Sequence, residues 1–295
     1  MSLDGLFTAL ITPFKADESV DKDALRNIIE FQIQNRVDAV VPCTVTGENA
    51  TLSHIEHEWV VEWTVRYVNK RTRVIAATGS NNTREAIRLS LHAQKVGADA
   101  VLLVTPYLNL PSQRGMYLHF RAIAENITLP CILHNLTSQT NVNLNTATVL
   151  KLVEDCPNIA GFCEVADNLD QAWEIRAHTP PSFKIYSGRD DQAADFFQNG
   201  GNGLFSIAAN IVPDRMQRLV RLALEKNSGE AQKIAAELSE LIALLQQQPD
   251  PVPVKTLAAH LKFCQESFRL PICRCEDKSL LTSIRSVIKK LPIRS

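Results

Sequence analysis

Short, almost wholly apolar runs recur along the chain. Each is followed by a longer stretch whose apolar residues fall three and four positions apart. The repeat is roughly 25 to 30 residues long. Residues 6–11, 39–43, 74–78, 100–105, 131–135, 159–163, 184–187 and 204–207 form the runs. Runs that lack a polar alternation read as strands buried on both faces. Strands alternating with amphipathic helices predict a parallel sheet covered by helices.

The helix signals sit in the gaps. Ser53 followed three residues later by Glu56 is a capping box, and Trp59, Val60, Val61 and Val65 continue the helix it opens. Asp21 precedes a helix with Leu25, Ile28, Ile29 and Ile33 on one face, and Pro111-Ser112 opens another carrying Met116, Phe120 and Ile123. Eight strand–helix units predict a closed (β/α)8 TIM barrel. An open doubly wound sheet normally carries a Gly-rich turn after its first strand, and Ile11-Thr12-Pro13-Phe14 is unlike one. After Pro213 no period-two run remains, so residues 214–290 read as helix throughout. Residues 247–253 form a proline-rich break within that tail. The expected organisation is a barrel over 1–213 with C-terminal helices over 214–295 packed on it as one unit.

Composition narrows the classes. A formal net charge of -1 speaks against a nucleic-acid partner. No apolar run approaches the roughly 20 residues of a membrane helix. The N-terminus has no basic segment followed by an apolar one, so no signal peptide is expected. Seven irregularly spaced cysteines suit reduced thiols in a cytoplasmic protein rather than a disulfide framework. Cys273-Arg274-Cys275 is too tight for a zinc pair, and no metal site is expected.

Barrel enzymes build their sites at the carboxyl ends of the strands. There the sequence places Thr44-Val45-Thr46-Gly47-Glu48, Thr105-Pro106-Tyr107-Leu108-Asn109, His134-Asn135, Cys163-Glu164 and Ser187-Gly188-Arg189-Asp190. Ala9 to Phe14, Thr46 to Leu52, Thr105-Pro106-Tyr107, Asn109, Pro111-Ser112-Gln113, Ser187-Gly188 and Pro251-Val252-Pro253-Val254-Lys255 resemble, in order and nearly end to end, the dihydrodipicolinate synthase / N-acetylneuraminate lyase family of class I aldolases. Within that family the resemblance is closest to the dihydrodipicolinate synthases.

The resemblance implies a lysine at the end of strand six that forms a Schiff base with pyruvate, and no cofactor. That position is Cys163 here, and a thiol forms no imine. The proton-shuttling tyrosine of strand five falls on His134. A second tyrosine falls on Leu108, the threonine linking the two on Val45, and the substrate-gripping arginine on Gln139. Lys184, Lys151 and Lys255 read as wrongly placed or solvated. The expectation is therefore a relative that has lost Schiff-base aldolase activity and binds a small 2-oxo acid or L-lysine, as a regulator or in association with an active relative. The substrate-binding positions implied are Thr46, Val45, Gly47 and Phe205. The resemblance also maps an L-lysine effector site onto Asn49, Ala50, His54, His57, Gly79, Asn81, Glu85 and Tyr107, with His54 and His57 facing the same way at i and i+3. A homo-oligomer, dimer or tetramer, is implied as well.

Two alternatives stand beside this expectation. One is an active pyruvate-dependent lyase with altered chemistry. The other is a thiol enzyme with Cys163 as nucleophile and His134 as base, since an imidazole beside a cysteine lowers the thiol pKa. Both side chains are shorter than those they replace, which pulls them apart. Arg189 is expected to pair with Asp190 or Asp191 rather than to face a ligand.

Overall fold

In the computed structural model, which describes residues 3–290, eight parallel strands close into a barrel in chain order. They are β1 (Gly5–Ala9), β2 (Ala39–Val41), β3 (Arg73–Ala77), β4 (Ala100–Val104), β5 (Cys131–Asn135), β6 (Ile159–Glu164), β7 (Lys184–Ser187) and β8 (Gly203–Ser206). Strand β1 pairs with both β2 and β8, which closes the ring and leaves no sheet edge. Each strand lies within two residues of its expected position. The two segments expected from sequence, 1–213 and 214–295, run past the described residues at both ends.

The helices are α1 (Lys22–Gln34), α2 (His54–Val68), α3 (Thr83–Val96), α4 (Gln113–Asn126), α5 (Thr137–Thr140), α6 (Thr146–Asp155), α7 (Asp170–His178), α8 (Ala193–Gln198), α9 (Pro213–Leu224), α10 (Ser228–Leu245), α11 (Val252–His260) and α12 (Lys278–Lys290). Their starts follow the sequence signals. Asp21 accepts from the Ala24 N–H ahead of α1, and Ser53 with Glu56 forms the reciprocal box of α2. Ser112 accepts from the Gly115 N–H ahead of α4.

Alternation along each strand sorts the core into two layers. Leu6, Val40, Val74, Val101, Leu133, Phe162, Ile185 and Leu204 face outward onto the helices. Phe7, Val41, Ile75, Leu102, Ile132, Cys163, Tyr186 and Phe205 face inward and fill the barrel. Three of the inward residues are aromatic and meet at centroid separations of 5.7 Å (Phe7–Tyr186), 5.1 Å (Phe7–Phe205) and 5.6 Å (Tyr186–Phe205). Gly161 makes room for them, because a Cβ there would stand 2.5 Å from Tyr186 Cε2. The Tyr186 hydroxyl donates to the Leu3 carbonyl at 2.9 Å, on the amino-terminal side of the barrel.

The tail departs from the expectation of continuous helix. Residues 261–277, between α11 and α12, carry no helix. Tertiary anchors hold this stretch instead. Ser267 Oγ donates to the Lys15 carbonyl, and Phe268 is buried. The Arg269 guanidinium donates to the Glu18 and Thr51 carbonyls and to Glu56. The break at residues 247–253 is as read: α10 ends at Leu245 and α11 resumes at Val252.

Candidate active site at the barrel mouth

A cleft of about 380 Å³ opens at the carboxyl ends of β2 to β5. Val45, Leu102, Val104, Leu136 and Leu108 form much of its wall, with Ile272 from the irregular tail segment. The polar lining includes Thr44, Glu48, Asn49, Tyr107, His134 and Gln139. Asn49, Ala50, Gly79 and Tyr107, read from sequence as part of an effector site, thus share one cleft with Val45 and His134.

His134 and Cys163 are register partners on β5 and β6, and Cys163 is in turn partnered by Tyr186 on β7. Among the described residues no hydrogen bond joins the imidazole to the thiol. Cys163 is fully buried in the aromatic interior and does not line the cleft. Desolvation, with the nearby Glu164 carboxylate adding to it, drives its thiol pKa well above the ordinary range. Desolvation also pushes the His134 imidazole down to about 4. The ring stacks toward Phe205 at a centroid separation of 6.4 Å. A neutral thiol beside a neutral imidazole is the reverse of an activated nucleophile. This geometry removes the support for the thiol-enzyme alternative.

Much of the remaining substrate set is spent locally, the Val45 and Thr46 N–H groups excepted. Thr46 Oγ1 donates to Asp250 Oδ2 at 2.6 Å. The Gly47, Glu48 and Asn49 amides close turns on the carbonyls of Thr44 and Val45. The Gly47 carbonyl accepts from Thr12 Oγ1. Phe205 lies inside the barrel rather than in the cleft lining.

The effector positions divide. His54 is exposed, whereas His57 is buried, so the pair does not share an environment as the i, i+3 spacing suggested. The reason is their position on α2: His54 is its first residue and points to solvent, while His57 turns inward and meets the Ala77 carbonyl at 2.9 Å. Burial lowers the His57 pKa to about 4 and leaves its Nδ1 without a partner. Glu85 is held by His54 and by the Ser80 hydroxyl. The Asn81 carbonyl accepts from Asn109 Nδ2 at 2.8 Å.

Lys255 corrects the sequence reading most sharply. Rather than solvated, it is fully buried, and its Nζ stands 2.5 Å from Glu48 Oε1. It also lies 4.0 Å from the centre of the Phe14 ring. Glu48 holds a left-handed backbone at φ 52, so the pair pins the loop that carries Thr44 to Asn49. Lys151 is solvent-exposed and pairs with Asp155, and Lys184 pairs with Asp4.

Arg189 pairs with Asp191 at 2.6 Å and with Asp167, not with Asp190. Asp190 Oδ2 instead accepts from the Ile207 and Ala208 amides. Glu164, at the end of β6, accepts from Asn135 and from the Val165 and Ala166 amides. Among the described residues no group of three or more His, Cys, Asp or Glu side chains is arranged to hold a metal ion. No helix among them is long and apolar enough to cross a membrane.

The Glu48–Lys255 and Thr46–Asp250 pairs, which tie the loop after β2 to the tail, escaped the sequence reading. A signal for the first existed: Val252-Pro253-Val254-Lys255 sits in a helix with little polar face, and a lysine in an apolar turn must find a buried partner.

Comparison with known proteins agrees with the architecture. The profile of the Dihydrodipicolinate synthetase family matches residues 2–291. The 4-hydroxy-tetrahydrodipicolinate synthase of Aquifex aeolicus is 40% identical over 293 residues, covering 99% of each chain. A crystal structure of dihydrodipicolinate synthase from Aquifex aeolicus superposes with a TM-score of 0.96 at 39% identity, covering 99% of this chain and 100% of that one. The structure of the Cyanidioschyzon merolae enzyme with lysine bound gives a TM-score of 0.93 at 33% identity, over 97% of each chain.

Proposed function

The chain belongs to the dihydrodipicolinate synthetase family, and from that premise we propose that it binds a small ligand at its barrel mouth without running Schiff-base aldol chemistry. The observation that carries this reading is the end of β6. Cys163 stands there, fully buried against Tyr186 and Phe205. An imine requires an amine, and among the described residues lining the cleft there is no lysine. Lys255 offers no substitute, because its ammonium is committed to Glu48. Binding without turnover suits a regulatory protein or one that assembles with an active relative. Self-association belongs to the same reading and is supported by the exposed Ile55, Trp59, Leu108 and Leu110.

Incubation with pyruvate, reduction by borohydride and intact-mass measurement tests the proposal. No adduct is expected under conditions that trap an active synthase. An adduct of reduced pyruvate would overturn the reading. The competing reading, an active synthase, is favoured by the relative at 40% identity that bears that name, and the adduct would restore it.

L-Lysine is tested separately by calorimetry. The Glu85 carboxylate would have to exchange His54 and Ser80 for the ligand's ammonium, so only weak, millimolar-range binding is expected. Saturable micromolar binding would give the effector positions the role that the resemblance implies for them.

A further inference from the structure

Two kinds of wall meet in the barrel-mouth cleft. At its β2 end two successive backbone N–H groups, those of Val45 and Thr46, donate to no group among the described residues. Adjacent open amides suit a carboxylate, which accepts a hydrogen bond on each oxygen. The Asn49, Tyr107 and His134 side chains line the same cleft without a hydrogen-bond partner among the described residues. They leave donors for a keto oxygen beside that carboxylate.

Elsewhere the cleft is apolar. Leu102 and Val104 from β4, Leu136 after β5 and Ile272 from the irregular tail segment face it. Its described lining holds no lysine and no arginine, and its one carboxylate, Glu48, is bonded to the buried Lys255 ammonium. The desolvated His134 ring is uncharged at physiological pH. The volume of about 380 Å³ falls within the roughly 300–1,000 Å³ of pockets that enclose ligands much larger than a three-carbon acid. A ligand held by its carboxylate at Val45 and Thr46 thus has apolar surface to bury its remainder against. It has no cation to neutralise a second charge.

We infer that the cleft selects, among 2-oxo acids, monocarboxylates with a bulky apolar substituent, over pyruvate on one side and dicarboxylates on the other. The Val45 and Thr46 amides take the carboxylate, and Leu102, Val104, Leu136 and Ile272 enclose the substituent. The inference rests on the non-catalytic reading above and specifies the ligand class of that site.

Three probes test it: pyruvate, 4-methyl-2-oxopentanoate and 2-oxoglutarate. Their dissociation constants are measured on the intact protein by ligand-detected NMR, without reductant. Each buried methylene is worth about fourfold in affinity, so 4-methyl-2-oxopentanoate is expected to bind tighter than pyruvate by about tenfold or more. It is also expected to bind tighter than 2-oxoglutarate by about tenfold or more, the second carboxylate bearing an uncompensated desolvation cost. Val104→Thr keeps the shape of a half-buried wall residue and adds a hydroxyl. It is expected to weaken 4-methyl-2-oxopentanoate by about fivefold and pyruvate much less. Gln139 is exposed on the cleft rim, so Gln139→Arg supplies a cation without disturbing the core. That variant is expected to gain about tenfold for 2-oxoglutarate and much less for the monoacid.

Pyruvate or 2-oxoglutarate binding as tightly as 4-methyl-2-oxopentanoate overturns the ligand class, and so does binding of none of the three. An equal loss for both monoacids in Val104→Thr overturns the assigned apolar wall. These outcomes are distinct from failure of the non-catalytic reading, which a borohydride-trapped pyruvate adduct reports.

Discussion

Lys255→Met is expected to destabilise the protein by roughly 3–5 kcal/mol, the cost of leaving one member of a buried ion pair behind. Both side chains of the Glu48–Lys255 pair are fully buried, and the methionine variant strands the Glu48 carboxylate. Its remaining contact in the tail is the Arg269 amide at 3.4 Å, too long to compensate. Glu48→Gln should cost less. The ammonium it leaves still faces the Phe14 and Phe268 rings at 4.0 and 5.1 Å. The double variant should recover most of the loss, because two neutral groups of similar volume carry no uncompensated charge. Urea unfolding of the four proteins measures the cycle. A shift of midpoint at constant slope is the expected form. Additive losses in the double variant would mean that the two residues do not act as a pair. Because Glu48 lines the cleft, the single variants should also loosen the rim that Thr44, Val45 and Asn49 share with it.

The barrel was legible because its strands are apolar on both faces and its helices carry their caps in sequence. Ser53 with Glu56, Asp21 and Ser112 each opened the helix that local chemistry assigned to it. Those signals act over three or four residues, which is why they survive without tertiary information. The irregular stretch 261–277 was misread as helix because its structure is set at long range, by Arg269 reaching residues 18, 51 and 56. Lys255 was misread for the same reason: its partner lies 207 residues away in sequence. The position of Cys163 at the end of β6 was legible, but its burial was not. Three aromatics from β1, β7 and β8 converge on the barrel interior, and only the closed ring brings them together. The effector positions show the limit of mapping by resemblance. Residue types compatible with an amino acid were present, yet Glu85 and His57 had already been given intramolecular partners.

Asp250→Asn is expected to remove a pH dependence of stability and to raise stability at alkaline pH. Asp250 Oδ2 accepts from Thr46, while Oδ1 is sealed from solvent without a partner. Desolvation first, with the Glu48 and Asp190 carboxylates adding to it, raises the pKa from 3.8 to about 7, and the Thr46 hydrogen bond opposes the rise only in part. The sign follows from proton binding. Between 3.8 and about 7 the folded protein holds a proton here that the unfolded chain has released. The contribution is therefore fully present below 3.8 and is lost as pH climbs through about 7. At about pH 8 the ionised carboxylate should cost the fold on the order of 4 kcal/mol. Asparagine keeps an acceptor for Thr46 and replaces the unpartnered oxygen with an uncharged amide. The buried imidazoles of His57 and His134, lowered to about 4, run the opposite way and destabilise the fold as pH falls from 6.5. They are common to both proteins and cancel in the comparison, which is why the difference between the two is the quantity to measure. Urea unfolding of both at intervals from about pH 4 to about pH 8 should show nearly equal stability at the acid end, an advantage for the variant that widens as pH rises toward about 7, and a plateau above it. A difference that stays constant across the range would mean that Asp250 is already ionised in the folded protein, with Thr46 and neighbouring dipoles sufficient to hold its charge.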